Sequence, residues 1–177
     1  MTILYPRLGS PELEPYAAPF GHMMLAFGRA TEAVIELVSH VQGKGEAEAV
    51  QFVAMAGPAN LPKKLRGLTR NKLDKGRDEQ LRHAAAEYKA VADERNHLVH
   101  GDWWFNVFEN GVLTVRRAGW KKKKNKAELV IKHREIVSPA DLDDWAARLD
   151  AVADDFDDLA TQFQLAREGE ELSDSST

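Results

Sequence analysis

Apolar and polar positions along this chain follow two periods, and the change from one to the other organises it. From Phe20 onward, Phe20, Met23, Met24, Phe27, Ala30, Val34, Leu37, Val38 and Val41 recur at three and four residues, the spacing of a helix with one buried face. Gly43 is placed to stop it. Upstream, Pro6, Pro11, Pro15 and Pro19 repeatedly interrupt helix, so residues 1–19 read as an arm ending in a helical start. A second helix is predicted over residues 47–55, closed by Gly57-Pro58. Residues 60–73 then place Leu61, Leu65, Leu68 and Leu73 along one side of a short basic helix. Its polar side holds Lys63, Lys64, Arg66, Arg70 and Lys72.

Residues 77–100 read as one long helix. At about 100° per residue, with Tyr88 at zero, Leu81 falls near 20°, Ala84 near -40°, Ala92 near 40° and Val99 near 20°. Arg95 falls at about -20°, inside the apolar stripe, while Asn96 at about 80° and His100 at about 120° lie on its edge. His97 points to the opposite face, where solvent is expected. A cation within a core stripe is costly unless it is paired. Either a buried acid neutralises Arg95, or the stripe opens there into a cleft or a subunit interface. Arg and His in a last turn also suit the negative end of the helix dipole, and Gly101 suits the position beyond it. That explains His100 without any function, but not the central placement of Arg95.

After Gly101 the period falls to two. Trp103, Phe105 and Val107 alternate with Trp104, Asn106 and Phe108, Asn110-Gly111 is a hairpin turn, residues 112–117 return, and residues 128–137 give a third strand. The loop between the last two, Gly119-Trp120-Lys121-Lys122-Lys123-Lys124-Asn125-Lys126, sets five ammonium groups beside an indole. That combination suits single-stranded nucleic acid, by phosphate attraction and base stacking; a solubilising hairpin tip is the plainer account. Ser138-Pro139-Ala140-Asp141 starts a final helix, in which Leu142, Trp145, Leu149, Val152, Phe156, Leu159 and Phe163 face other helices. Its aspartates, among them Asp143, Asp150 and Asp154, read as a solvated outer face. The expected fold class is therefore mainly α, an antiparallel helical bundle with a small antiparallel β-hairpin or three-strand insertion before the last helix. One domain is expected over residues 1–167, with the β insertion at 102–137 and a polar, disordered tail at 168–177.

Composition narrows the chemistry. A chain of 177 residues accommodates one domain with a sizeable core. No cysteine is present, which removes thiol catalysis, disulfides and thiolate metal sites and makes the cytoplasm the default compartment. No apolar run is long enough to span a membrane, and the N-terminus lacks a secretory pattern. The net charge of -4 conceals an asymmetry: residues 61–134 carry 19 basic and 9 acidic groups, residues 135–177 carry 2 and 13. The basic middle can attract a polyanion, or pack beside the acidic C-terminal helix. There is no phosphate-binding Gly-rich loop and no Gly-x-Ser-x-Gly elbow. His97 and His100 have no further ligand at a recognisable spacing, so no metal or other cofactor is expected.

The motif Arg95-Asn96-x-x-x-His100 resembles the signature of HEPN-domain ribonucleases, an arginine, usually a polar residue, and a histidine four to six positions on. Its place near the end of a long helix, with a further amphipathic helix following, matches that family's helical bundle; the β segment departs from the minimal form. The resemblance implies metal-independent cleavage of RNA by attack of a 2′-hydroxyl on its own phosphate, in toxins and phage-defence effectors among others. It implies His100 as general acid/base, Arg95 as the clamp on phosphorane charge and Asn96 as an orienting partner, with His97 a minor auxiliary. It further implies a homodimer whose two motifs meet in one composite site, and an antitoxin or regulatory protein as a possible partner. RNA contacts are expected from Lys63, Lys64, Arg66, Arg70, Trp120, Lys121, Lys122, Lys123, Lys124 and Lys126. The competing expectations are a catalytically silent bundle that binds RNA or protein, and a structural dimerisation module.

Overall fold

The computed structural model describes residues 11–100 and 138–169 with their side chains, Glu12 excepted, and residues 102–106, 112–123, 126–136 and 170–174 as backbone. A single 3-10 turn, Pro11–Leu13, leads into helix α1, Glu14–Gln42. Helix α1 begins earlier than the prolines suggest. Pro15 lies in its first turn, where the missing N–H has no intrahelical acceptor. Pro19, inside the helix, forfeits only the bond to the carbonyl one turn earlier. Gly43 ends it with φ 65°, returning its N–H to the His40 and Ser39 carbonyls.

Helix α2, Glu46–Leu68, is broken at Gly57, whose φ of 59° and ψ of 164° are non-helical. Only glycine holds that conformation without strain. The break is a reversal. A straight helix would set Phe52 and Lys64 about 18 Å apart along its axis, yet the Lys64 ammonium lies 5.5 Å from the centre of the Phe52 ring. The two halves of α2 therefore fold back on each other around Gly57-Pro58. Lys72, just beyond α2, then donates to the Val41 carbonyl at 2.9 Å, which returns the chain to the C-terminal end of α1.

Helix α3, Lys75–Val99, is capped by Asp74, whose carboxylate accepts the Arg77 N–H at 3.0 Å. Helix α4 runs Pro139–Asp174, so helix continues through residues expected to be tail. Cross-helix pairs fix the directions. His22 meets Asp143 and Arg29 meets Asp150 and Asp154, so α1 and α4 run parallel. Glu87 meets Arg148 and Gln80 meets Asp155, so α3 runs against α4. Several aspartates of the expected solvated face thus tie helices together.

The expected fold class needs correction in one part. Over the residues described with side chains the structure is 91% helical, built of four helices with no strand, so the fold they define is a helical bundle and the β-hairpin insertion is not a component of it. Asn110-Gly111 and the two-residue alternation are local signals, whereas a place in the fold depends on the core. The described core is filled by residues of α1 to α4, including Met23, Leu37, Leu65, Leu81, Leu98, Leu149 and Phe156. Between α3 and α4 only the backbone path is described, as three antiparallel segments, β1 Asp102–Asn106, β2 Val112–Lys123 and β3 Lys126–Ile136, in the order β1-β2-β3.

An aromatic column joins three helices. Phe156 of α4 meets Tyr88 of α3 edge-on, centroids 6.4 Å apart, and Tyr88 stacks on Phe27 of α1 at 5.4 Å and 20°. The Thr31 hydroxyl donates to the Phe27 carbonyl, which leaves its oxygen to accept from the Tyr88 phenol at 2.9 Å. Burial pushes the Tyr88 pKa above its ordinary value, although nearby Arg95 acts against the shift. A raised folded pKa confers stability that is complete below the unfolded value of about 10 and is lost as pH rises through the folded value. Tyr88→Phe is expected to cost about 0.5–1.5 kcal/mol near neutrality through the lost hydrogen bond. It should also make stability fall less steeply as pH rises above the unfolded tyrosine value of about 10. Urea unfolding near neutrality and above that value checks both effects, and parallel curves for wild type and variant would contradict the account.

Candidate functional site

The end of α3 carries the motif. Arg95 is half-buried within the apolar stripe, as the helical arithmetic places it, and its guanidinium carbon lies 4.9 Å from the centre of the Phe27 ring. The aromatic column thus ends on a cation. Nη1 of Arg95 donates to the Asn96 side-chain oxygen at 3.0 Å, while Nε is buried and has no hydrogen-bond partner among the described residues. Among the described residues no carboxylate forms an ion pair with Arg95. Of the two expected solutions to its burial, the buried acid is absent there, and an aromatic face takes its place.

Asn96 is half-buried and His100 exposed. The His100 backbone N–H bonds the Asn96 carbonyl at 3.2 Å, and φ -108°, ψ 6° takes the residue out of the helix. Around the α3 axis the Arg95 and His100 positions diverge by about 140°, with Asn96 between them. One chain therefore presents arginine and histidine on different sides of the same helix end. His97 departs from expectation: it is half-buried, not solvent-facing. Val99, expected in the core stripe, is 39% exposed, because the bundle ends beside it.

The basic residues divide. Lys63, Arg66 and Arg70 line a groove of about 740 Å3 between the second half of α2 and the start of α3. Lys64 does not; its ammonium is turned to Phe52. Lys75 and Lys89 complete the groove from α3. Their positions on α3 gain meaning only through the turn of residues 69–74, which sets α3 against the second half of α2 and leaves no local signal in the sequence. The expected contacts Trp120, Lys121, Lys122, Lys123, Lys124 and Lys126 lie outside the residues described with side chains. Among the described residues no group of three or more His, Cys, Asp and Glu could hold a metal, and no helix is long and apolar enough to cross a membrane.

No family model, no curated protein and no solved structure matches this chain. The assignment of the site rests on its own chemistry.

Arg95 and Phe27 should be energetically coupled. A double-mutant cycle with Phe27→Leu and Arg95→Ala is expected to give a coupling of about 0.5–2 kcal/mol in urea unfolding. Additive effects would show that the ring does not hold the guanidinium.

Proposed function

We propose that the protein is a metal-independent endoribonuclease of the HEPN type, acting on single-stranded RNA in the manner of toxins and phage-defence effectors. The observation that supports this best is Arg95: a half-buried guanidinium with no acid paired to it among the described residues, an unsatisfied Nε, and a hydrogen bond to a polar neighbour. Such a group is held ready for an anion.

The reaction follows from the residue types. The 2′-hydroxyl attacks the adjacent phosphorus as its proton is removed, the bond to the 5′-oxygen breaks, and that oxygen leaves with a proton. The products are a 2′,3′-cyclic phosphate and a 5′-hydroxyl. Imidazole transfers protons near neutrality, the role of His100, and the Arg95 fork offsets charge on the equatorial oxygens. Asn96 orients the fork through the bond to Nη1. Since Arg95 and His100 diverge around α3, we assign the complete site to a homodimer in which the partner copy supplies the complementary group. The exposed end of α3, with Val99 and His100, is the surface that such pairing uses.

Purified protein incubated with single-stranded RNA in EDTA should cleave it to 2′,3′-cyclic phosphate ends. Arg95→Ala and His100→Ala should each lower the rate at least about 100-fold. Activity surviving both substitutions would sink the assignment. Binding without cleavage by the wild type would favour a catalytically silent RNA-binding bundle.

A further inference from the structure

The groove between α2 and α3 has an unusual balance of charge. Its two acids are engaged from outside its walls: Asp78 pairs with Arg82 at 3.1 Å and Asp74 with Arg77 at 3.3 Å, and neither arginine lines the groove. Lys89 is offset by Asp93 at 2.8 Å. Lys63, Arg66, Arg70 and Lys75 form no ion pair among the described residues. Four cations from two walls therefore face one channel without acidic partners. The turn of residues 69–74 creates this arrangement, since it sets the second half of α2 against α3.

The channel also has a direction. Taking Tyr88 as zero, Asp78 and Lys89 of the groove wall lie at about 80° and 100° around α3, and Asn96 and His100 at about 80° and 120°. The packing fixes this sector independently: Tyr88 near 0° faces α1, while Gln80 and Glu87, at about -80° and -100°, bond α4. The wall that lines the groove thus continues onto the motif. Lys89 precedes Asn96 by about 10 Å along the axis, and Lys75 precedes His100 by about 38 Å.

We propose that this groove is a backbone-tracking channel for single-stranded RNA, in which Lys63, Arg66, Arg70 and Lys75 hold phosphates and lead the strand along α3 to Asn96 and His100. The inference rests on the ribonuclease reading for its ligand, and it adds that the substrate must extend well beyond the scissile phosphate. A single groove of this kind engages about 4–16 nucleotides. Its four unpaired cations suit backbone phosphates, so the channel selects chiefly for length and charge.

The test uses the full-length His100→Ala protein in EDTA with 5′-labelled oligouridylates, by fluorescence anisotropy over a range of salt. A 12-mer is expected to bind at least about tenfold more tightly than a trimer, with log K falling against log salt at a slope of about -3 for four phosphates. Arg66→Gln and Lys75→Gln should each reduce that slope by about 0.7. Lys44→Gln, at an exposed lysine between α1 and α2 and outside the groove, should leave it unchanged. Equal affinity for trimer and 12-mer, or slopes unmoved by Arg66→Gln and Lys75→Gln, would overturn the channel. The two proposals fail separately. Groove-dependent binding by a wild type that never cleaves would leave the channel standing and remove the ribonuclease. Cleavage that needs Arg95 and His100 but ignores the groove variants would do the reverse.

Discussion

The interaction on which this molecule turns is the stack of Phe156, Tyr88 and Phe27 ending on the guanidinium of Arg95. It joins α4, α3 and α1 through large apolar faces, and it sets a cation where a core would otherwise close. Aromatic pairs of this geometry add stabilisation beyond the area they bury. A guanidinium tolerates such a place better than an ammonium because it is weakly hydrated and stacks on rings. The column thus serves the fold and the site together: it joins α3 to α1 and α4, and it holds Arg95 against a ring on one side with Nη1 directed towards Asn96.

The second constraint is the reversal at Gly57. With φ at 59° and ψ at 164°, it folds the two halves of α2 back on each other. The turn of residues 69–74 then sets Lys63, Arg66 and Arg70 across a groove from Lys75 and Lys89. That arrangement concentrates positive potential along the first part of α3, upstream of the helix end that carries the motif.

Much of this was legible in the sequence, for identifiable reasons. The three-and-four spacing located α1 and α3, and helical arithmetic placed Arg95 in the stripe, because a regular helix converts sequence position into angle. The pause at Gly57-Pro58 was readable; the fold-back was not, since it depends on the contact of Phe52 with Lys64 across the turn. Lys75 and Lys89 join the groove through the turn of residues 69–74, which no local pattern shows, and Lys64, expected at RNA, covers a ring. Hairpin signals at Asn110-Gly111 are local, and they point to a β component that the helical bundle itself does not contain. The aspartates of α4 were read as a solvated face because composition cannot show that Arg29 reaches across to Asp150 and Asp154.

The central claim is that Arg95 occupies the stripe for the sake of an anion and not for the sake of the fold. Urea unfolding of Arg95→Met, measured beside RNA cleavage by the same preparation, tests it most directly. Methionine fills the space on Phe27 and removes the unsatisfied Nε. The account predicts stability within about 1 kcal/mol of wild type or above it, as when buried charge gives way to apolar volume, with cleavage reduced at least about 100-fold. A loss of more than about 3 kcal/mol, or cleavage that persists, would contradict it.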